Sequence, residues 1–231
     1  RISPEVRFQV CIPTHESGLR WFLTSAADFE FLWAPYTDVV KRELDAIYAS
    51  IPPEDLLVQW DVCSEMLGYD PEGRKWFDWE PDGEPLDRYA ESIAAISPHV
   101  PDEVLLGVHL CYGSFRNQHL VEPSDLSYAV NMANVSLKHA GRRIDFVHMP
   151  VPIDRDDDAY YAALSHLEVA DTKLYLGLLH ADGVESNVRR VDAARRYTQG
   201  FGVGTECGLA RWPRAEIPVM IDIHRYVADI L

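Results

Sequence analysis

About six times along this chain a short β-rich apolar run is followed by a stretch whose apolar residues recur at helical spacing, and that alternation admits few folds. The runs are Val6 to Pro13, Asp55 to Val62, Glu103 to Gly113, Ile144 to His148, Thr172 to Leu179, and the glycine-rich segment at Gly200 to Gly204. Between them, Val39, Val40, Leu44, Ile47 and Tyr48 predict a helix over residues 36–50 that stops at Ile51-Pro-Pro53. Leu86, Tyr89, Ile93 and Ile96 predict a second, ended by Ser97-Pro98. Ser124 is placed to cap a third running to His139 and closed by Gly141. The acidic run Asp154, Asp156, Asp157 and Asp158 opens a fourth, where carboxylates complement the helix dipole. Val188, Val191 and Ala194 mark a fifth, and a last helix is predicted over residues 216–230. Strands alternating with helices predict a parallel sheet joined by right-handed crossovers.

A doubly wound sheet and a barrel both satisfy that pattern, and the polar residues favour the barrel. Asp61, His109, Cys111, His148, His180 and Cys207 all fall at or just past the carboxyl ends of the runs. In a (β/α)₈ TIM-type barrel those ends meet at one mouth, where groups from different strands form a site. Six visible units leave about two strands of such a barrel unaccounted for. The chain opens on Arg1-Ile-Ser-Pro-Glu5, with neither a start Met nor a signal peptide, so the expectation is a single N-terminally incomplete barrel domain over residues 1–231. Residues 68–85, carrying Trp76, Phe77 and Trp79 among turn formers, interrupt the alternation and predict a folded loop insertion whose aromatics pack or lid a pocket.

Charge excludes several roles. A formal net charge of -16 opposes nucleic acids and anionic membranes, which are bound by clustered Lys and Arg. No apolar run approaches membrane-spanning length. The four cysteines, Cys11, Cys63, Cys111 and Cys207, are too scattered for a secreted disulfide framework, so a cytoplasmic protein is expected. The glycines near residue 200 lack the spacing of a dinucleotide-binding fingerprint.

Chemistry concentrates at His109-Leu-Cys111. On a strand, residues two apart project from the same face, so this imidazole and this thiol can grip one ion or one substrate. Imidazole nitrogen and thiolate sulfur are the donors zinc prefers, and a thiolate is also a nucleophile. Cys11 and Cys63 read as packed thiols, and His119, His139, His166 and His224 as surface or helix-face residues.

The order of these motifs resembles the C-terminal catalytic barrel of the cobalamin-independent methionine synthases, in a superfamily shared with uroporphyrinogen decarboxylase. His109-Leu-Cys111-Tyr112 is similar to that family's His-x-Cys-Tyr zinc motif, and Glu206-Cys-Gly-Leu209 to its Asp-Cys-Gly-Leu. Leu179-His180 followed by Val184-Glu-Ser186 is similar to its Ile-His-Ser stretch, and Val58-Gln-Trp-Asp61 to its Gln-Ile-Asp-Glu strand. The resemblance implies a Zn²⁺ site of His109, Cys111 and Cys207, with His148 as the fourth ligand where the family has a glutamate. It implies His180 as the acid for the leaving group and Asp61 as the partner of a substrate ammonium, with Trp60, Tyr112 and Glu206 as further substrate contacts. The implied activity is transfer of a methyl group to a zinc-activated thiolate, as from a methylfolate to homocysteine. Val62 stands where the family has an acid. Two alternatives stay open: another electrophile, such as an epoxide or a methoxy-aromatic donor, and a non-catalytic small-molecule-binding barrel in which Cys111 and Cys207 could pair as a disulfide. The partners expected are a small-molecule thiol and an alkyl donor, with a homo-oligomer left open.

Overall fold

The computed structural model describes residues 6–113 and 119–231 of the chain. The opening Arg1 to Glu5 lies outside the described residues. Six strands form one all-parallel sheet in sequential order, with β1 Phe8–Pro13, β2 Leu56–Val62, β3 Leu105–Leu110, β4 Phe146–Pro150, β5 Lys173–Leu179 and β6 Gly202–Thr205. The helices are α1 His15–Leu19, α2 Ala26–Tyr48, α3 Ser64–Tyr69, α4 Pro85–Ile96, α5 Ser127–His139, α6 Asp158–Tyr161, α7 Val184–Arg195 and α8 Ile217–Asp229. β1 and β6 stand at the two edges, and no pairing joins them among the described residues. The six parallel strands are consistent with a TIM-like fold, and closure into the expected eight-stranded barrel is not seen among the described residues. Residues from β1 (Gln9, Cys11) and from β6 and its end (Gly204, Thr205, Cys207) nevertheless line one cavity, so the sheet curls around a common interior.

Strand alternation builds the core. On β2 the side chains of Leu56, Val58, Trp60 and Val62 are fully buried, as are Leu106, Val108 and Leu110 on β3, in one cluster with Tyr89, Ile93 and Ile96 of α4. Each such burial contributes about 1.5–3 kcal/mol relative to exposure. The intervening residues Gln59 and Asp61, with His109 on β3, line the interior cavity instead.

Several elements differ from expectation for identifiable reasons. The apolar run of β1 is not covered: Phe8 is 61% exposed, because this strand is an edge. α2 begins ten residues earlier than the apolar spacing predicts and runs through Pro35, with Ser25 Oγ accepting from Asp28 N–H at its start. Tertiary contacts anchor that early half: Trp33 stacks on His15 at 3.9 Å, and Tyr36 donates to the Pro13 carbonyl. The third predicted helix starts at Ser127 rather than after Ser124, and Asp125 Oδ1 accepts from its first N–H at 2.7 Å. Within residues 68–85 two of the three aromatics pack: the Trp79 indole donates to the Leu23 carbonyl, and the Arg20 guanidinium lies 3.7 Å over the Phe77 ring, while Trp76 is exposed. No helix among the described residues is long and apolar enough to cross a membrane.

Candidate metal centre and its cavity

Parallel pairing brings the chemistry to one place. Asp61 of β2 pairs with His109 of β3, and His109 with His148 of β4, so three polar side chains lie side by side across the inner face. Cys111 continues the line of β3, its N–H donating to the Val62 carbonyl at 2.9 Å. Cys207 arrives from the far edge, just past β6. The donor atoms of His109, Cys111 and Cys207 lie within 4.8 Å of one another. Residues almost a hundred positions apart in the sequence thereby form one cluster.

A glycine makes that convergence possible. A Cβ on Gly177 would stand 2.8 Å from the Glu206 Cα, closer than real Cβ contacts come, and 3.1 Å from the His148 ring, a tight contact. The β5–β6 register also shifts between Leu176 and Leu179, an irregularity of the kind that re-aims a side chain. Together they let the backbone carrying Glu206 and Cys207 approach the sheet.

Protonation fits a cation-binding cluster. The hydrogen bond with Cys207 pulls the Cys111 thiol down, but the bond with Cys63 and burial push it above its ordinary value. The bond with Cys111 pushes the Cys207 thiol up to about 12, against the lowering contact with His109, with burial adding to the rise. Crowded thiols stay protonated without a counter-charge, and a divalent cation reverses that preference. One nitrogen and two sulfurs, held this close on separate strands, match the donor types of zinc, with Zn–S near about 2.3 Å and Zn–N near about 2.0 Å. All four cysteines are free thiols, so the alternative disulfide is not formed.

His148 falls outside this trio. Its Nδ1 lies 2.7 Å from His109 Nδ1. When His109 Nδ1–H donates to the neutral His148 Nδ1, His109 Nε2 is free as a donor to a metal. Burial, reinforced by His109, lowers the His148 pKa to about 3, so its ring is neutral.

Above the cluster, a cavity of about 800 Å³ is lined by Cys111, Cys207, His119, His180, Glu206 and Trp212, among others. His180 Nε2 donates to the Val151 carbonyl at 2.8 Å, while its Nδ1 faces Glu206 Oε2 at 3.9 Å. Burial lowers the His180 pKa, against the pull of Glu206. His119, read from the sequence as a surface residue, is instead a member of this wall. Burial alone would lower its pKa, but Glu206, 3.1 Å away, and Glu122 raise it to about 9. A His without a neighbouring motif gave no sequence signal for that role.

The remaining expected contacts divide by strand face. Asp61 lines a separate interior cavity of about 910 Å³ beneath the cluster, where Gln59 donates to its Oδ1 at 2.8 Å. Burial raises its carboxyl pKa, while His109 and Gln59 pull the other way. Trp60, expected to contact substrate, is fully buried on the opposite face, and its indole donates to Ser97 Oγ at 3.0 Å. Tyr112 is also fully buried and lines neither cavity, since it alternates with Cys111.

No protein-family model matches the chain, and no curated protein does. Among solved structures it is similar to a B12-independent methionine synthase from Shewanella sp. W3-18-1, in complex with selenomethionine, with a TM-score of 0.62 and 13% sequence identity. The alignment covers 97% of this chain and 62% of that one, so the chain spans less than two thirds of that protein's length. At this identity the likeness is one of fold.

Proposed function

We propose that this chain is a zinc-dependent thiol alkyltransferase, which moves a methyl group from a donor such as a methylfolate to a thiol such as homocysteine. The observation that carries the reading is the cluster of His109, Cys111 and Cys207 donors at the carboxyl ends of parallel strands, opening on a cavity that also holds His180 and Glu206. The related fold of a methionine synthase supports it, as does that structure's complex with a methionine analogue.

His109 through Nε2, Cys111 and Cys207 would hold the ion, with His148 fixing the His109 ring rather than binding directly. Zinc in this position lowers the pKa of a bound thiol, so that a thiolate is available near neutral pH. Glu206, on the wall of the cavity that holds His180, offers a carboxylate to a substrate ammonium group, a charge-assisted contact, whereas Asp61 faces the other cavity. In the transfer, the thiolate sulfur forms a bond to the methyl carbon, the carbon–donor bond breaks, and its electron pair leaves with the donor atom. His180 supplies the proton that neutralises that atom. Because Nε2 is committed to the Val151 carbonyl, the delivered proton is one held at Nδ1, on the side facing Glu206.

Metal analysis of the purified chain tests the reading. One zinc per chain, lost in Cys111→Ser, together with methylation of homocysteine, is the expected result. Metal-bearing protein that alkylates the thiol only from an epoxide or a methoxy-aromatic donor would reassign the electrophile. A metal-free wild type as stable as Cys111→Ser would overturn the enzyme reading in favour of a binding barrel.

A further inference from the structure

Resting on the proposal that a divalent metal binds His109, Cys111 and Cys207, we infer that Cys63 is a third sulfur ligand of the same centre. β2 and β3 run in register with Val62 beside Leu110, and the Cys111 N–H donates to the Val62 carbonyl, so the pairing continues past the end of β2 and sets Cys63 next to Cys111. Strand alternation gives Cys63 the same face as Asp61, as it gives Cys111 the same face as His109. The Cys63 thiol is half-buried, at the position beside Cys111 in the strand register.

The backbone there is pinned. Ser17 Oγ accepts from Cys63 N–H at 2.8 Å and from Ser64 N–H at 3.0 Å, and its own hydroxyl donates to the buried Glu65 carboxylate. What remains free is the side-chain torsion. The Cys63 sulfur stands outside the mutually close trio. A rotation between staggered positions about its Cα–Cβ bond is the adjustment that adds it. His148, the other neighbour, has its Nδ1 engaged by His109 and stands outside the close group. With Cys63 the donor set becomes one nitrogen and three sulfurs, a common tetrahedral zinc set. A substrate thiol would then enter by exchanging with Cys63, its proton passing to the released Cys63 sulfur, with no change in charge at the metal.

X-ray absorption of the zinc-loaded full chain counts the ligands without any substitution: three sulfurs at about 2.3 Å and one lighter atom are expected. In the cobalt-substituted chain, Cys63→Ser should keep one metal but lose about a third of the thiolate-to-cobalt charge-transfer intensity, one sulfur of three. Added homocysteine should restore that intensity, and Cys11→Ser should leave it unchanged. Two sulfurs by absorption, with a Cys63→Ser cobalt spectrum identical to wild type, would make Cys63 a packed thiol and leave the three-residue site standing. A wild-type chain that takes up neither zinc nor cobalt would remove the site itself, and the inference with it.

Discussion

At the scale of single residues, the proposed metal site would rest on a pair of imidazoles in different roles. His109 offers Nε2 to a cation only while its Nδ1 proton is held, and the His148 Nδ1 at 2.7 Å holds it. His148→Ala is therefore expected to weaken zinc binding by about 10- to 100-fold in chelator competition, the usual cost of losing such an orienting partner. His148→Gln, whose amide oxygen can accept the same proton, should recover most of that loss. A direct ligand role would instead leave the glutamine variant as weak as the alanine one. His180 is governed by burial, which favours its neutral ring and lowers its pKa below the ordinary 6.5. Since the proposed acid is the protonated form, the acid-dependent rate should fall as pH rises through a value under 6.5. A pH–rate profile beside an NMR titration of the His180 ring checks this, and a rate rising through that range would remove the role.

At the scale of elements, two packing devices aim the site. Gly177 lets the chain past β6 lie against β5, with no room for a Cβ beside Glu206. Gly177→Val should push Cys207 outward and reduce metal affinity at least about tenfold, while the far helices keep their circular dichroism. The second device ties α1 to α3. The Glu65 carboxylate accepts from Thr14 Oγ1 at 2.6 Å, from the Glu16 and Ser17 N–H groups at 2.9 and 3.2 Å, and from the Ser17 hydroxyl. Burial and the neighbouring Glu16 push its pKa up to about 7, against the donors from Ser17 and Thr14. Glu16 is in turn paired with Arg20 and Arg88. Glu65→Ala leaves those donors buried without a partner and should destabilise the chain by roughly 3 kcal/mol, read as a lower urea midpoint. Helix propensity gives no hint of this network, because its members come from different βα connections.

At the scale of the whole molecule, a metal centre joining β3 to β6 would link the middle of the sheet to its far edge. A ligand that binds only the folded state stabilises it by mass action, by about 2.7 kcal/mol at a hundredfold excess over its dissociation constant. Zinc should therefore raise the thermal midpoint of the wild type, and a chelator should reverse the gain. Cys111→Ser should show neither effect. Equal midpoints with and without zinc in the wild type would speak against a site spanning the sheet.

The sequence by itself determined the alternation, the parallel sheet that follows from it, and the candidate donors at strand ends, because period-two and helical spacing are local properties of a chain. Local spacing also placed His109 and Cys111 on one face. It carried no information on which distant side chains meet. The arrival of Cys207, the neighbourhood of Cys63, the pairing of His119 with Glu206 and the exposure of β1 were decided by strand register and sheet curvature. Trp60 and Tyr112 make the same point in reverse: each sits beside a site residue in sequence, and the pleat of its strand turns it away from the cavities. Contacts across several strands sum the geometry of every connection between them, which no window of the sequence contains.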